Sequence, residues 1–236
     1  MLLNKEQLSH VSDKLGAAVA FEDGFYWLSA ADGKLPLFPW RQVMRLMNMR
    51  KCVADRSVYD ISVMKSECVE QKCFSVLSLA MRECEICEWL LGDSIVSVFA
   101  QTDKERVMHM IARMKSGILC SVDITNGLNE GTRETNRHEI ISSVGELCDL
   151  PVGMQYASED TYVFNSDRAV PSSYTEVIIE DVLYTREEAQ IIRDALTLLG
   201  DSRAREDRKA QFERIKNIAE TALKSSDECK LREVTL

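Results

Sequence analysis

The spacing of apolar positions divides the chain into stretches of helical period and stretches of period two. Over residues 6–15 apolar side chains recur at helical spacing and Gly16 follows as a natural C-terminal cap, which predicts a short amphipathic helix. Residues 17–21, Ala-Ala-Val-Ala-Phe, form an apolar run of strand length. The next stretch carries Asp23-Gly24, Asp32-Gly33, Pro36 and Pro39 and reads as a loop. Trp40, Val43, Met44 and Met47 then fall on one face of a helix predicted over 40–49, and residues 57–64 alternate as a strand does. The clearest helix spans 74–91, where Val76, Leu79, Ala80, Ile86 and Leu90 recur and Gly92 ends the pattern.

Beyond Gly92 the period changes to two, with strands predicted at 95–99, 107–113, 118–124 and 139–143, and Lys115-Ser116-Gly117 as a hairpin turn. Consecutive strands on short turns pair antiparallel. Helical spacing returns at Thr185-Arg186-Glu187-Glu188, a capping box in which Thr185 and Glu188 satisfy each other's backbone. That helix stops at Gly200. A second, over 207–224, sets Phe212, Ile215, Ile218, Ala219 and Ala222 on one face. This order predicts an α+β fold: a large, mainly antiparallel, open-faced sheet with helices packed on one face.

Composition narrows the function. Apolar residues make up 45% of the 236 and charged residues 28%, as in soluble globular domains. A net charge of −9 argues against a nucleic-acid surface, which needs clustered Lys and Arg. The basic residues between 203 and 214 are interleaved with Glu206, Asp207 and Glu213 and read as a solvated helix face. No apolar run reaches the ~20 residues that span a bilayer, and the first residues lack the basic start and apolar core of a secretion signal. A cytoplasmic protein with neither nucleic acid nor membrane as partner is expected. The eight cysteines are then reduced thiols, mostly packed as small apolar groups. Cys84 and Cys87 form the one CxxC; it supplies half a tetrahedral zinc site and lies mid-helix, so no metal is expected.

Arg82-Glu83-Cys84-Glu85-Ile86-Cys87-Glu88-Trp89-Leu90-Leu91-Gly92 resembles the H-x-x-D-x-x-x-W-L-x-G helix of the Gfo/Idh/MocA oxidoreductases, the superfamily of glucose–fructose oxidoreductase and inositol dehydrogenase. Residues 94–100 are similar to that family's next strand, and 114–119 to its F-x-N-G-A-L hairpin. Asn136-Arg137-His138-Glu139-Ile140-Ile141 with Val144-Gly145-Glu146-Leu147 is similar to its H-E-I-x-G-x-x-G-x-L strand pair, and 218–234 to its closing helix and tail. The five matches occur in family order across residues 40–236.

The resemblance implies a Gfo/Idh/MocA-like sheet domain over 36–236, preceded by residues 1–35 as a helix-plus-strand remnant of a Rossmann domain and its connecting loop. It also marks departures. The G-x-G-x-x-G turn that holds the nicotinamide dinucleotide is missing, as is the E-K-P lysine. The family's D-x-x-x-H pair falls on Ser78 and Arg82, neither of which can take a proton at neutral pH. No catalytic residue and no NAD(P) site are therefore expected in this polypeptide. If a ligand cleft survives, Arg82, Glu85, Trp89 and His138 would line it, although Glu83, Glu85 and Glu88 read first as a solvated or salt-bridged helix face. Because the family's sheet pairs with another subunit through its outer face, the expected partner is a second copy, or a Rossmann-bearing paralogue that would complete a split dehydrogenase. A small-molecule sensor built on the old cleft is a further alternative. Of the remaining histidines, His109 lies between Met108 and Met110 and reads as a packing or interface residue, and Phe25-Tyr26-Trp27 with Phe38 and Trp40 as an aromatic cover.

Overall fold

The computed structural model describes residues 2–31, 33–129, 132, 134–149, 161–165, 172–174 and 184–235, with 161–165 and 172–174 as backbone only. They belong to two compact units: residues 1–43 with 177–214, and residues 44–176 with 215–236.

In the first unit α1 (Lys5–Leu15) starts at a capping box between Asn4 and Gln7 and closes at Gly16, whose φ of 62° needs a residue without Cβ strain. The stretch expected as a loop folds instead with the preceding run into three antiparallel strands: β1 (Val19–Glu22), β2 (Phe25–Ala30) and β3 (Gly33–Leu37). Asp23 and Gly24 both take positive φ, 52° and 84°. That is the backbone of a two-residue hairpin, whose twist matches the flanking strands. The expected boundary between residues 35 and 36 falls inside β3. Leu28, Leu35 and Leu37 pack with Val11 of α1 and Ile191 and Ala195 of α4 (Arg186–Gly200), which begins at the Thr185–Glu188 capping box as read. The aromatic residues pack on one another. Phe212, near the start of α5 (Ser202–Glu228), meets Phe25 at 5.2 Å and Trp27 at 5.0 Å, and Phe38 stacks on Trp40 at 5.0 Å.

One residue of the supposed solvated face does the opposite. Arg208 is 6% exposed and binds Asp194 through two hydrogen bonds, of 2.7 and 2.9 Å. It also donates to the Pro36 carbonyl and lies 4.3 Å above the Phe38 ring. Asp194 in turn accepts the Phe38 N–H at 2.7 Å. Charge alternation along a helix does not reveal that one cation of the row has a buried carboxylate waiting on another helix.

In the second unit α2 (Met44–Ala54) buries Leu46, Met49 and Cys52. The face expected from Trp40, Val43, Met44 and Met47 does not form, because Pro39–Gln42 is a separate 3-10 turn and Val43 is extended; Met47 is exposed. Then follow β4 (Ile61–Gln71), α3 (Val76–Leu91), β5 (Ile95–Thr102), β6 (Val107–Met114), β7 (Leu119–Leu128), β8 (Thr135–Ser142), β9 (Gly145–Cys148), β10 (Thr161–Asn165), β11 (Ser172–Tyr174) and β12 (Arg232–Glu233). They form one sheet in the order β11-β10-β9-β8-β4-β7-β6-β5-β12. Every pairing is antiparallel except β4 with β7. β4 leaves the sheet through α3, a crossover long enough for the chain to return parallel to it. The fold is α+β, as the periodicities predict.

α3 lies against β4, β6 and β7 on one face of this sheet. Along β6, Met108, Met110, Ala112 and Met114 are fully buried, while Val107, His109, Ile111 and Arg113 are exposed. His109 therefore does not pack with its methionine neighbours: period two sends it to the opposite face. All eight cysteines are free; Cys84 and Cys87 are fully buried in α3.

Breaking the buried pair in the first unit by Arg208→Ala leaves Asp194 charged in an apolar setting, and about 3–5 kcal/mol of that unit's stability is lost. The double variant Arg208→Met, Asp194→Leu stays far closer to the parent. Urea unfolding followed by tryptophan fluorescence distinguishes the two.

Candidate functional site

The side chains that the sequence marks as chemically distinctive meet beneath α3. Ser75 caps this helix by accepting the Ser78 N–H at 3.0 Å, and the Ser78 hydroxyl donates to the Ser75 carbonyl at 2.9 Å. Gly92 closes the other end in the left-handed region, φ 62°. One turn beyond Ser78, Arg82 points at the sheet, with 16% of its side chain exposed. Its Nε donates to Glu83 Oε1 (2.9 Å), Nη1 to Glu70 Oε1 (2.8 Å), and Nη2 to Asn136 Oδ1 (3.1 Å) and Cys68 Sγ (2.9 Å).

Two of the groups around Arg82, Cys68 and Glu70, and one bound to Glu83, Ser66, come from a single strand. β4 buries Met64, Ser66, Cys68 and Glu70 at period two. Ser66, Cys68 and Glu70 thus share the face under α3, and a strand of alternating burial with polar residues on the inner side was the available signal.

Glu83 is fully buried and both of its oxygens are used. Oε1 accepts from Arg82, and Oε2 accepts from Ser66 Oγ at 2.6 Å and lies 3.2 Å from His138 Nε2. His138 Nδ1 is 2.9 Å from Asp149 Oδ2, and the His138 N–H donates to Asp149 Oδ1 at 2.7 Å. Arg45 of α2 approaches Asp149 Oδ2 at 3.4 Å. Burial alone would push the His138 imidazole toward the neutral form, but the flanking Asp149 and Glu83 carboxylates overrule it and raise its pKa to about 9. Burial likewise favours protonated Glu83, yet Arg82, then His138 and Ser66, hold it down to about 2. The Cys68 thiol is pushed up by burial and stays protonated.

Of the residues expected near the cleft, Arg82 and His138 are joined through Glu83. Ser78 is 5% exposed at the head of the same helix. Trp89 lies elsewhere, its ring 4.8 Å beneath the Arg50 guanidinium. Glu85 is fully buried, and Glu88, almost fully buried, accepts the Ile95 N–H at 2.8 Å. Of the solvated or salt-bridged face expected for Glu83, Glu85 and Glu88, the solvated form is absent, since all three are buried, while Glu83 is salt-bridged to Arg82. Among the described residues no group of three His, Cys, Asp or Glu side chains is placed to hold a metal ion.

A general base needs an unoccupied lone pair within reach of a substrate proton. Glu83 and Asp149 have their oxygens committed, and His138 carries a proton on each nitrogen. Among the described residues, the one buried carboxylate oxygen with no hydrogen-bond partner is Glu70 Oε2.

This arrangement of β4, α3 and the antiparallel strands recurs in solved structures. An oxidoreductase domain protein from Kribbella flavida matches 84% of this chain over 66% of its own, with a TM-score of 0.66 and 13% identity. Levoglucosan dehydrogenase in complex with NADH and levoglucosan matches 84% over 65%, with TM-score 0.66 and 13% identity. An oxidoreductase from Agrobacterium radiobacter in complex with NAD+, L-tartaric acid and magnesium matches 83% over 63%, with TM-score 0.62 and 13% identity. The chain shares the fold of these oxidoreductases. The chain spans less than two thirds of the length of each of these proteins. No family model matches the sequence, and no curated protein does.

In this unit the cationic His138 ties stability to pH. Its folded pKa of about 9 lies above the ordinary 6.5, so its contribution is complete below about pH 6.5 and is lost as pH rises through 9. The loss amounts to about 3 kcal/mol. Urea midpoints measured between these limits should fall in the parent and stay level in His138→Gln, with the imidazole titration followed by NMR.

Proposed function

We propose that this chain is a non-catalytic relative of the Gfo/Idh/MocA oxidoreductases that works by association. The observation that carries this reading is the circuit Arg82–Glu83–His138–Asp149: these four groups are bonded to one another, and none of the four is left to take a substrate proton. The positions of the lost catalytic pair, Ser78 and Arg82, serve as a helix-head hydroxyl and the anchor of this circuit. On the same reading the polypeptide holds no NAD(P) site of its own.

The surface for association is the sheet face opposite α3. Val107, Ile111 and Leu119 stand exposed on it at 48%, 41% and 43%. Part of its charge is already paired in the plane of the sheet, as Lys65–Glu139 and Arg137–Glu67. A strongly acidic or basic partner gains little from such a surface. A face of the same composition fits it, and the occupant is a second copy of this chain. A Rossmann-bearing paralogue is the alternative occupant.

A second reading rests on Glu70 Oε2. That oxygen, beside Arg82 and Asn136, is placed to accept from one hydroxyl of a small polyol or sugar, which would make the unit a sensor.

The purified chain, given NAD+ or NADP+ with sugars and polyols, should produce no reduced cofactor at any pH; sustained turnover would overturn the reading. Light scattering should give a homo-oligomer, and Ile111→Asp should reduce it to a monomer with unchanged circular dichroism. A stoichiometric nucleotide-binding subunit in the native complex would favour the split dehydrogenase. A rise in melting temperature with a polyol, lost in Glu70→Gln, would favour the sensor.

A further inference from the structure

The open face of the sheet carries an unbalanced row of charges. Gln101 of β5, His109 of β6, Asp123 of β7, Glu67 of β4 and Arg137 of β8 are successive cross-strand partners, so they form one line across five strands on the solvent side. His109 Nδ1 is 2.6 Å from Asp123 Oδ1, and Arg137 Nη1 is 3.7 Å from Glu67 Oε1. Between these two pairs Asp123 and Glu67 sit directly opposite each other on neighbouring strands. Two carboxylates in that relation repel. Here they are 56% and 50% exposed, and solvent screens them.

Covering the face removes the screening. Arg137 supplies a permanent cation at one end of the row, and its guanidinium is shared with Glu139. Among the described residues, the group at the other end that can supply a cation is His109, and it does so only when protonated. The rest of the described face does not help. Lys65 is matched by Glu139 and Arg113 by Glu233, and Glu146, on β9 beside Ile141, adds a further carboxylate. Apart from His109 the described residues of the face thus offer three cations against five carboxylates, and β5 contributes the uncharged Ser97, Phe99 and Gln101.

We infer that self-association through this face is coupled to proton uptake at His109, so that acidification tightens the assembly. The inference rests on the association reading above and adds its regulation. Burying the row with His109 neutral leaves two adjacent carboxylates facing one shared cation. Burying it with His109 charged gives each carboxylate a cation. An imidazole is the side chain that changes charge in this way between about pH 5 and 8, and His109 is the histidine on this face: His138 is enclosed beneath α3, and His10 belongs to the other unit.

The test is sedimentation equilibrium of the whole chain from about pH 5.5 to about pH 8.5 at fixed ionic strength, above the range in which ordinary carboxylates titrate. The dimer dissociation constant should rise with pH by about tenfold for each His109 and about a hundredfold for the two in a dimer. His109→Gln and Glu67→Gln should each flatten the profile, the first at weak affinity and the second at strong. His109→Lys, cationic throughout, should associate at the alkaline end as the parent does at the acid end. A dimer with a pH-independent constant, or a slope that persists in His109→Gln, would overturn the proton coupling and leave the association reading standing. A chain that stays monomeric at every pH would overturn both.

Discussion

The second unit is organised around the buried carboxylate of Glu83. It stands on the face of α3 turned to the sheet, where an isolated charge is prohibitively costly. Arg82 on one side and His138 on the other hold it ionised, with Ser66 donating from below. Those contacts fix the height and rotation of α3 above β4 and β8 together, because the three partners come from the helix and from both strands. Through Arg82 the same carboxylate reaches Glu70 and Asn136, and through His138 it reaches Asp149. With His138 protonated, Arg45, Arg82 and His138 balance Glu70, Glu83 and Asp149. A network of this size is tolerable inside a protein only when its members are nearly all satisfied, and here Glu70 Oε2 is the carboxylate oxygen left without a hydrogen-bond partner.

In this network the acceptors are largely committed to one another, and Arg82 at its centre keeps its own proton at any ordinary pH. The fold persists at 13% identity to levoglucosan dehydrogenase because β4, α3 and the antiparallel strands depend on alternating burial and on the α3 caps rather than on particular catalytic residues.

The two faces of the sheet carry different physics. Beneath α3 the side chains of β6 and β7 are methionine, alanine, cysteine and β-branched residues in full burial. On the far face the same strands present isoleucine, leucine and valine among charges paired within the plane. Polar pairing of this kind keeps an apolar surface soluble while leaving it able to meet a like surface once its remaining carboxylates are balanced.

Much of this was legible in the sequence wherever structure follows from local spacing. The alternation in residues 95–124, the capping box at Thr185 and the glycine ending α3 each settle their element through contacts within a few residues, and the α+β order follows from them. The strands of the first unit were not legible, because runs of four to six residues between Asp-Gly turns carry too little periodicity to separate strand from loop. The candidate site divides in the same way. Arg82 and His138 stand out in the chain by their place in a motif, but Glu70, Asp149 and Asn136 reach them only through strand register, which depends on pairings dozens of residues apart. The sequence by itself determined which residues carry charge and which of the longer periodic segments are helix or strand. Only the tertiary structure decided that Glu83 and Arg208 would be buried rather than solvated, because burial of a charge depends on a partner that the chain brings in from elsewhere.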